Sequence, residues 1–358
     1  MSKGYYIGVM SGTSLDGIDV ALCEIDTLSC RCIAFICEPF APELKEAIGQ
    51  LIEGTNPLAL VGELDQRLGV VFAEAIERVL VCSGVASQEI EAVGLHGQTV
   101  WHAPEGAYPF SMQLGDPSQI TARLSLPVVA DFRRKDIALG GEGAPFAPAF
   151  HHFCFAHPTE HIGVVNIGGM ANLTLLTPDT LLGYDTGCGN ILLDYWITTQ
   201  CHLPYDHEGA WARSGVVERE LLSRMLADPY FAKPYPKSTG REYFNARWLE
   251  GYLATAVYRA EDIQRTLLEL SAVSITQELM RFGVDRVLLC GGGAYNSLLV
   301  ERIEALMGGV SVERVADGDR LEAMLFAWLA YKRIHHEPIG LKRVTGATED
   351  TILGGVYV

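Results

Sequence analysis

The sequence predicts an α/β protein made of two related halves, and three observations support this prediction. Each half opens with two short apolar runs joined by a glycine-rich turn, at 8–19 in the first half and 166–172 in the second. Apolar runs of strand length then alternate with segments of helical periodicity. The chain has 358 residues, of which 37 are glycine, which suits two domains with many tight turns.

The first half predicts three strands, a helical segment, a strand, a short helix and a last strand. The predicted strands cover residues 5–9, 20–25, 31–37, 90–95 and 127–130. The predicted helices cover residues 42–52, 58–81 and 118–124, and the pattern leaves open whether the second of these is broken. This element order is that of a ribonuclease H-like unit.

The second half repeats the opening hairpin without evident sequence identity to the first. Its predicted strands cover residues 161–166, 172–176, 181–184, 284–289 and 310–315. Its predicted helices cover residues 191–199, 260–282, 297–307 and 321–334. The glycine-rich loop 140–145 suggests a crossing between domains. We therefore expect one domain at 1–138, joined by the tail 342–358, and a second domain at 139–341.

Composition limits the possible partners and the compartment. The formal net charge of −17 would repel nucleic acid and an anionic membrane, and a small anionic substrate would need a local basic pocket. The nine cysteines form no Cys-x-x-Cys pair, and several lie in apolar runs, which favours a reducing cytoplasm over a disulfide or zinc scaffold. The sequence shows no signal peptide and no apolar run of membrane length.

The stretch 8–19 carries residues suited to phosphate and magnesium. Its glycines let the backbone approach an anion, and the N–H groups of Gly12, Thr13 and Ser14 are expected to contact phosphate oxygens. Asp16 and Asp19 suit a hydrated magnesium ion, which takes one or two carboxylates and keeps several waters. An ordinary hairpin with Ser, Asp and Gly as turn formers is the alternative.

Two further glycine-rich turns favour a nucleotide site. The second hairpin has Gly168 and Gly169 at its tip, and a later strand runs into a glycine triplet, 291–293, before a helix. The two hairpins would hold phosphates, and a flat adenosine would lie against the backbone at the helix N-terminus. Together, in this order and spacing, the three elements predict that ATP and Mg²⁺ bind in a cleft between the two domains.

These motifs resemble the superfamily of actin, sugar kinases, acetate kinase and heat-shock chaperone ATPases. The resemblance is closer to one family within it, the 1,6-anhydro-N-acetylmuramic acid kinases. The stretches that carry it span nearly the whole chain: 8–20, 96–102, 131–133, 140–145, 166–172, 185–190, 237–242 and 291–296. The resemblance implies a cytoplasmic, homodimeric enzyme of murein recycling that uses ATP and water to convert the anhydro sugar into N-acetylmuramic acid 6-phosphate.

The resemblance also implies a role for each matching residue. Asp185 is expected to be the general base, and Asp16 and Asp19 are expected to bind magnesium. The residues expected to bind ATP are Gly12, Thr13, Ser14, Leu15, Asp16, Gly17, Ile18, Asp19, Asn166, Gly168, Gly169, Asn172, Gly291, Gly292, Gly293 and Asn296. The residues expected to contact the sugar are His96, Gln98, Thr99, Trp101, Arg133 and Glu322, with Arg133 suited to the lactyl carboxylate.

Each assignment has a structural alternative. Asp185 could cap an Asx-turn, His96 could be a satisfied core histidine, and Arg133 could pair with a nearby aspartate on the surface. Glu322 could be solvated or could cap its helix. Lys237 and Arg241 could orient their loop rather than neutralise phosphate.

Two other functions remain open at this stage. One is a non-catalytic, ATP-driven binding protein of the chaperone or actin type, which would need a partner-binding appendage larger than the irregular region 205–248. The other is a kinase for an ordinary sugar hydroxyl.

Overall fold

The computed structural model describes residues 3–12, 15, 17–54, 58–254 and 256–358. The chain divides into two compact units. The first comprises Met1–Cys154 together with Arg320–Val358, and the second comprises Phe155–Asp319.

The first unit is built on one mixed sheet. Its strands are β1 (Gly4–Ser11), β2 (Gly17–Ile25), β3 (Cys30–Pro39), β4 (Ile90–Ala103), β5 (Phe110–Leu114), β6 (Val128–Ala130) and β12 (Gly355–Tyr357). They lie in the order β3–β2–β1–β4–β6–β12, and β5 pairs with β4. The strands β1, β2 and β3 are antiparallel, whereas β4 is parallel to both β1 and β6.

Helices pack on both faces of this sheet. They are α1 (Pro42–Glu53), α2 (Leu58–Ser83), α3 (Pro117–Leu124), α4 (Arg133–Ala138), α5 (Ala147–Phe155) and α13 (Leu321–Ile334). Helix α2 runs without the break that the sequence pattern left open, and its apolar residues share a core with Ile7 and Val9 of β1. Because side chains alternate along a strand, Gly8 between them faces the other way, toward α13.

Helix α13 lies against the sheet at two paired glycines. Gly8 of β1 and Gly94 of β4 are register partners. A Cβ atom on Gly8 would overlap the carbonyl oxygen of Ala323, and one on Gly94 would overlap that of Phe326. The absence of side chains at these positions therefore lets the helix backbone reach the sheet backbone, which brings the start of α13 to the ends of β1 and β4.

The second unit repeats the same strand order. Its strands are β7 (Ile162–Ile167), β8 (Met170–Leu176), β9 (Leu181–Cys188), β10 (Arg286–Cys290) and β11 (Ser311–Arg314). They lie in the order β9–β8–β7–β10–β11, with an antiparallel trio followed by two parallel strands. In both units, the first strand thus has the antiparallel second and third strands on one side. On its other side lie two parallel strands, β4 and β6 in the first unit and β10 and β11 in the second. This topology confirms the predicted fold class, an α/β protein with two ribonuclease H-like units.

The helices of the second unit surround one long buried helix. They are α6 (Ile191–Cys201), α7 (Ala210–Ser214), α8 (Arg219–Leu226), α9 (Pro229–Ala232), α10 (Ala246–Leu253), α11 (Ala260–Arg281) and α12 (Ser297–Met307). Helix α11 is buried along most of its length and carries buried polar side chains that fasten neighbouring loops. Across the described ranges of both units, no helix combines the length and the apolar character needed to cross a membrane.

Two strands are longer than the sequence pattern indicated. Strand β4 continues past residue 95 to Ala103, because its second half pairs with β5, a strand that the sequence did not predict. Strand β9 continues past residue 184 to Cys188, so Asp185 lies within a strand rather than after its end. The irregular region 205–248 contains the helices α7, α8 and α9.

The compact units divide the chain at other positions than the predicted 138/139 and 341/342. Residues 139–154 and 320–341 belong to the first unit, as does the tail 342–358. Helix α13 belongs there because it packs on β1 and β4. The loop 140–145 belongs there because Asp136 accepts hydrogen bonds from the Gly143 amide at 2.7 Å and from the Thr345 hydroxyl at 2.7 Å. This loop is therefore no crossing between units.

We expect Gly8→Ala to destabilise the first unit by about 3 kcal/mol, because the new methyl group would overlap the backbone of α13. The matched control is Gly62→Ala in α2, where a Cβ would meet no atom within 4 Å. That change should be neutral or stabilise by up to about 1 kcal/mol, because alanine favours helix. Urea unfolding of the two variants tests the contact, and equal midpoints would contradict it.

Candidate active site

Gln98 holds the tip of the first hairpin through hydrogen bonds to Ser11 and Gly12. Its amide nitrogen donates to the Gly12 carbonyl at 3.3 Å, and its amide oxygen accepts from the Ser11 hydroxyl at 2.5 Å. A further bond from the amide nitrogen reaches the Thr99 carbonyl at 3.1 Å. Gln98 is fully buried and its polar atoms are engaged, so it supports the hairpin tip rather than presenting a free amide to a sugar.

The other predicted residues of this tip differ in what they can offer a ligand. Thr13, Ser14 and Asp16 lie outside the described residues. Leu15 has a φ of 58°, and its amide donates to the Gly12 carbonyl at 3.3 Å, as in a tight turn. Ile18 is buried in the core and can contribute only backbone groups, and a Cβ on Gly17 would overlap the Glu38 carbonyl. Asp19, opposite Met10 in the ladder, is the carboxylate described here.

Arg133 and His96 form a buried couple in the first unit. One Arg133 Nη donates to His96 Nε2 at 2.8 Å, and the other donates to the Gly143 carbonyl at 2.6 Å. Burial and the Arg133 charge hold the pKa of His96 well below its usual range, so the ring is neutral with its proton on Nδ1. Within the described residues, neither His96 Nδ1 nor Arg133 Nε makes a hydrogen bond of acceptable geometry, although the nearby backbone of Ser11 and Gly97 partly offsets the lowering of the His96 pKa.

The contacts of His96 and Arg133 differ from their structural alternatives, a satisfied core histidine and a surface ion pair with a nearby aspartate. His96 is buried but only half satisfied, so it is not an ordinary core histidine. The neighbouring Arg134, rather than Arg133, pairs with Asp131, at 3.4 Å. Burial lowers the pKa of the Arg133 guanidinium to about 10, against the opposing effects of Glu322 and Asp136.

Glu322 in the first turn of α13 is electrostatically linked to both Arg133 and Asp19. Solvent reaches its side chain, but the surrounding protein still desolvates the carboxyl. This desolvation and the like charge of Asp19 raise the pKa of Glu322, while Arg133 acts in the opposite direction. The structure thus brings Glu322, Arg133, His96 and Asp19 into one region of the first unit.

Thr99 and Trp101 lie further along β4. The Thr99 hydroxyl accepts from the Gln113 amide at 3.1 Å. Trp101 is 63% exposed and its ring centroid lies 5.6 Å from that of Phe110 on β5. Such an exposed indole offers the flat apolar face that sugar rings pack against, but it lies on the extended arm of the β4–β5 pair.

The second hairpin tip is closed by the segment that follows β9. The Gly168 carbonyl accepts from the Asn190 amide at 2.8 Å, and the Gly169 carbonyl accepts from the Gly189 amide at 2.9 Å. The Asn190 side chain also donates to the Ile167 carbonyl at 3.2 Å. The carbonyl groups at the tip are therefore held by protein, which fixes the shape of the turn. Asn190, which was not among the predicted ATP contacts, helps to fix it.

The glycine triplet after β10 packs directly on the second hairpin. A Cβ on Gly291, whose φ is 76°, would overlap the side-chain oxygen of Asn166, and one on Gly293 would overlap Ile167. Asn296 caps α12, since its side-chain oxygen accepts from the Leu299 amide at 3.1 Å. Gly291 and Gly293 are thus required by their close packing on Asn166 and Ile167, whether or not a nucleotide lies against them, whereas a Cβ on Gly292 would meet no atom within 4 Å.

Asp185 lies opposite Asn172 in the β8–β9 ladder. Its carboxylate accepts from the Thr239 amide at 3.0 Å, across a long sequence separation, so it does not cap a local Asx-turn. Burial raises the pKa of Asp185 to about 6, with Glu242 adding to the rise and the Thr239 N–H opposing it. A carboxylate with this pKa is largely ionised at neutral pH and still basic enough to take a proton from water.

A buried ion pair holds the loop that supports Asp185. Lys237 Nζ lies 2.8 Å from a carboxylate oxygen of Glu278 on α11, and both side chains are almost fully buried. The Lys237 carbonyl accepts from the Asp185 amide at 2.9 Å, and the Tyr230 hydroxyl donates to the Asp185 carbonyl at 2.7 Å. Lys237 therefore orients the loop, as its structural alternative proposed. Sequence reasoning did not find Glu278 or Tyr230.

A family model described as "Anhydro-N-acetylmuramic acid kinase" matches residues 4–358. The chain belongs to the anhydro-N-acetylmuramic acid kinase family. A relative of that name from Sulfurovum sp. (strain NBC37-1) is 55% identical over 360 residues, covering 100% of both chains. Another from Sulfurimonas denitrificans is 48% identical over 365 residues, covering 99% of both. As a member of the anhydro-N-acetylmuramic acid kinase family, the chain is an enzyme and an ATP-binding kinase, which excludes the non-catalytic alternative.

Solved structures with a partial likeness include two nucleotide-bound proteins. One is the activator of the 2-hydroxyisocaproyl-CoA dehydratase from Clostridium difficile with bound ADPNP, at 13% identity and a TM-score of 0.46, covering 93% of this chain and 97% of that one. The other is a ROK family glucokinase from Streptomyces griseus in complex with glucose and AMPPNP, at 14% identity and a TM-score of 0.42, covering 92% of this chain and 100% of that one.

We expect Asp185→Asn to stabilise the protein at pH 8 by about 1–2 kcal/mol, allowing for solvent screening of a half-buried group. The pKa of Asp185 in the folded state, about 6, lies above its unfolded value. The stability that Asp185 contributes is therefore fully present near pH 4 and is lost as pH rises through 6. The stability difference between wild type and variant should grow over this range.

Unfolding curves at pH 4.5, 6 and 8 measure this difference. The exposed surface carboxyl Glu304, changed to Gln, is the matched control for the loss of one carboxyl group. A difference for Asp185→Asn that shrinks with rising pH would contradict the assigned environment.

Proposed function

We propose that the chain is an ATP-dependent kinase of 1,6-anhydro-N-acetylmuramic acid. It opens the 1,6-anhydro ring with water and phosphorylates O6, giving N-acetylmuramic acid 6-phosphate and ADP. The family match over residues 4–358 and the full-length relatives of that name support this substrate. The reaction belongs to murein recycling and amino-sugar catabolism, and the expected setting is a cytoplasmic homodimer.

The chemistry of the substrate requires a base that acts on water. In the anhydro sugar, O6 is tied to C1, so no hydroxyl is available at C6 to accept a phosphoryl group. Attack of water on C1 releases O6, and Asp185 takes the proton from that water. The observation that carries this assignment is the pKa of Asp185, about 6, on a carboxylate held by the Thr239 amide.

The released O6 then accepts the γ-phosphoryl group of ATP. Negative charge that leaves the C1–O6 bond accumulates on O6, which becomes the nucleophile toward phosphorus. No covalent enzyme intermediate is needed, because holding the water, the sugar and the phosphate in place supplies the main catalytic effect. The two glycine hairpins and the glycine triplet, with Asn166, Asn172 and Asn296, are the proposed contacts of ATP.

The described residues near the first hairpin fit a magnesium ion bound with ATP. Asp19 and Glu322 are close enough for one carboxylate to raise the pKa of the other, and a divalent cation would relieve that repulsion. Oxygen ligands of this kind are those that magnesium prefers, together with waters and substrate phosphates. Asp19, with Asp16, would hold the ion, which when bound neutralises charge on the phosphates during transfer.

The sugar contacts proposed for the first unit rest on unfulfilled hydrogen-bonding capacity. His96 has a buried Nδ1–H without a partner, which an oxygen of the sugar would satisfy. The guanidinium of Arg133 uses one N–H of each terminal nitrogen for protein contacts, which leaves N–H groups for the lactyl carboxylate. Thr99, Trp101 and Glu322 complete the proposed set, and Gln98 acts by positioning Gly12.

We expect turnover in ¹⁸O-labelled water to place the label at C1 of the product and not in the phosphate. Asp185→Asn should still bind ATP and sugar in calorimetry but lose about 10²–10⁴-fold in rate, because the base is gone. The unsubstituted enzyme should act on the anhydro sugar and not on free N-acetylglucosamine or glucose. Appearance of ¹⁸O in the phosphate, or near-normal turnover of Asp185→Asn, would contradict the mechanism.

Glu242→Gln supplies a matched control for the role of Asp185. Glu242 raises the pKa of Asp185 without a proposed part in the chemistry. Its removal should therefore shift the acid limb of the pH–rate profile to lower pH and leave the plateau nearly unchanged. An unshifted limb would indicate that another group sets it.

We expect Asp19→Asn and Asp16→Ala to raise the magnesium concentration needed for half-maximal activity by about tenfold or more, because a carboxylate ligand is lost. Glu24→Gln, a change on the same strand β2, is the control, since Glu24 pairs with Lys3 and Arg31 at the surface. Activity measured against magnesium at saturating ATP separates the variants. If Asp19→Asn shows the same magnesium dependence as Glu24→Gln, then Asp19 is not a magnesium ligand.

A further inference from the structure

An open cavity of about 530 Å³ in the second unit is lined by three arginines. Arg213 comes from α7, Arg265 from α11 and Arg302 from α12. None of these residues belongs to the motifs assigned to ATP, magnesium or the sugar. In a chain with a net charge of −17, three guanidinium groups around one cavity form a local basic site of the kind that a small anion requires.

Two of the three arginines have carboxylate partners. Arg213 makes two hydrogen bonds of 2.8 Å to Glu301, and Arg302 makes two of 2.8 Å to Glu269. Both pairs have the fork-to-fork geometry of strong arginine–carboxylate contacts. These two guanidinium groups are thus occupied, and each helps to fix the wall from which it projects.

Arg265 differs from the other two. Its nearest carboxylate oxygen, on Glu269, is 4.0 Å away, which is beyond hydrogen-bond distance. Among the contacts of the described residues, its guanidinium makes no hydrogen bond. Its side chain is 16% exposed, and its guanidinium borders the open cavity without a close carboxylate partner.

The lining of the cavity carries more positive than negative charge. Three guanidinium groups and one carboxylate, that of Glu301, line it, and Glu301 and Glu269 are already paired with Arg213 and Arg302. Desolvation, Arg302 and Arg213 all lower the pKa of Arg265, and the two glutamates only partly offset them. A cation in this position costs stability, and an anion bound in the cavity would recover it.

The cavity wall formed by residues 215–217 is fastened to α11. The Val216 amide donates to the Asp262 carboxylate at 2.8 Å, and the Glu218 amide donates to the Thr266 hydroxyl at 2.9 Å. A Cβ on Gly215 would overlap the Glu261 carbonyl, so this segment lies directly on the helix backbone. The site is therefore preorganised, with Arg265 between two anchors on the same helix.

We propose that this cavity binds the phosphoryl group of a small phosphorylated metabolite, with Arg265 as its principal contact. The planar fork of arginine matches phosphate geometry, and all its donors remain available here. The cavity exceeds the size of orthophosphate and is bordered by Val216 and Leu298, so it suits a phosphate monoester with an organic body. This site is separate from the residues proposed for catalysis and stands or falls independently of them.

The test is binding of orthophosphate, sulfate and glucose 6-phosphate to the full-length protein in a phosphate-free buffer of low ionic strength. Calorimetry gives the affinities, and hydrogen–deuterium exchange should show protection in the peptides of 260–270 and 297–305. We expect glucose 6-phosphate to bind more tightly than either inorganic anion. Equal, weak affinities for all three would mean an adventitious ion only and would overturn the proposal.

Three variants test whether anion binding depends on the positive charge of Arg265. Arg265→Gln should weaken binding by about tenfold or more, because it removes the anchoring fork. Arg247→Gln, an exposed arginine on α10, should leave the affinity unchanged. Glu301→Gln should tighten binding several-fold, because it removes a competing carboxylate and releases Arg213.

Thermal unfolding separates a binding role of Arg265 from a structural one. Removal of a poorly compensated cation should leave the melting temperature of Arg265→Gln equal to that of the wild type or higher. A lower melting temperature of Arg265→Gln would overturn the proposal. So would hydrogen–deuterium exchange in which ATP protects the hairpins but glucose 6-phosphate gives no protection at 260–270.

Discussion

The buried ion pair between Lys237 and Glu278 is the constraint on which the candidate catalytic base depends. Burying two charges is costly, and the cost is offset only when the remaining hydrogen-bonding capacity is used. Here the Tyr184 hydroxyl and Arg281 also contact Glu278, and the Phe231 carbonyl accepts from Lys237. The pair therefore fixes one end of a loop whose backbone holds Asp185 at its amide and, through Thr239, at its carboxylate.

Other buried polar side chains of α11 also hold loops in place. Buried polar side chains of this helix hold loops that carry or support the proposed sites: Ser271 donates to the Gly189 carbonyl at 2.8 Å, and Asp262 and Thr266 hold the segment 216–218. An apolar helix would fill the core equally well but would leave these loop amides and carbonyls without partners. The polar residues of α11 thus convert a core helix into a support for surface loops.

Local patterns allowed much of the fold to be predicted from the sequence. The opening hairpins, the order of strands and the glycine triplet all depend on short-range signals, and the family resemblance supplied the function that periodicity cannot supply. The extension of β4 was missed because its second half is polar and its partner, β5, is short. Alternation in such a segment gives no apolar face to detect.

Long-range contacts explain the other differences. Helix α13 was assigned to the second domain because it follows β11 in sequence, and nothing local reveals that Gly8 and Gly94 leave space for it. Likewise, the helical pattern of α11 does not indicate that Glu278 meets a lysine 41 residues earlier. Gln98 was expected among the sugar contacts because its motif lies beside them, whereas its amide is used to hold Gly12.

The distribution of the two units along the chain has a consequence for synthesis. The second unit is continuous, Phe155–Asp319, whereas the first needs α13 and β12 from the C-terminal segment Arg320–Val358. On the ribosome, the second unit is therefore complete before the first has received its last helix and strand. Until residues 320–358 have been synthesised, the paired glycines of β1 and β4 lack the helix that packs on them.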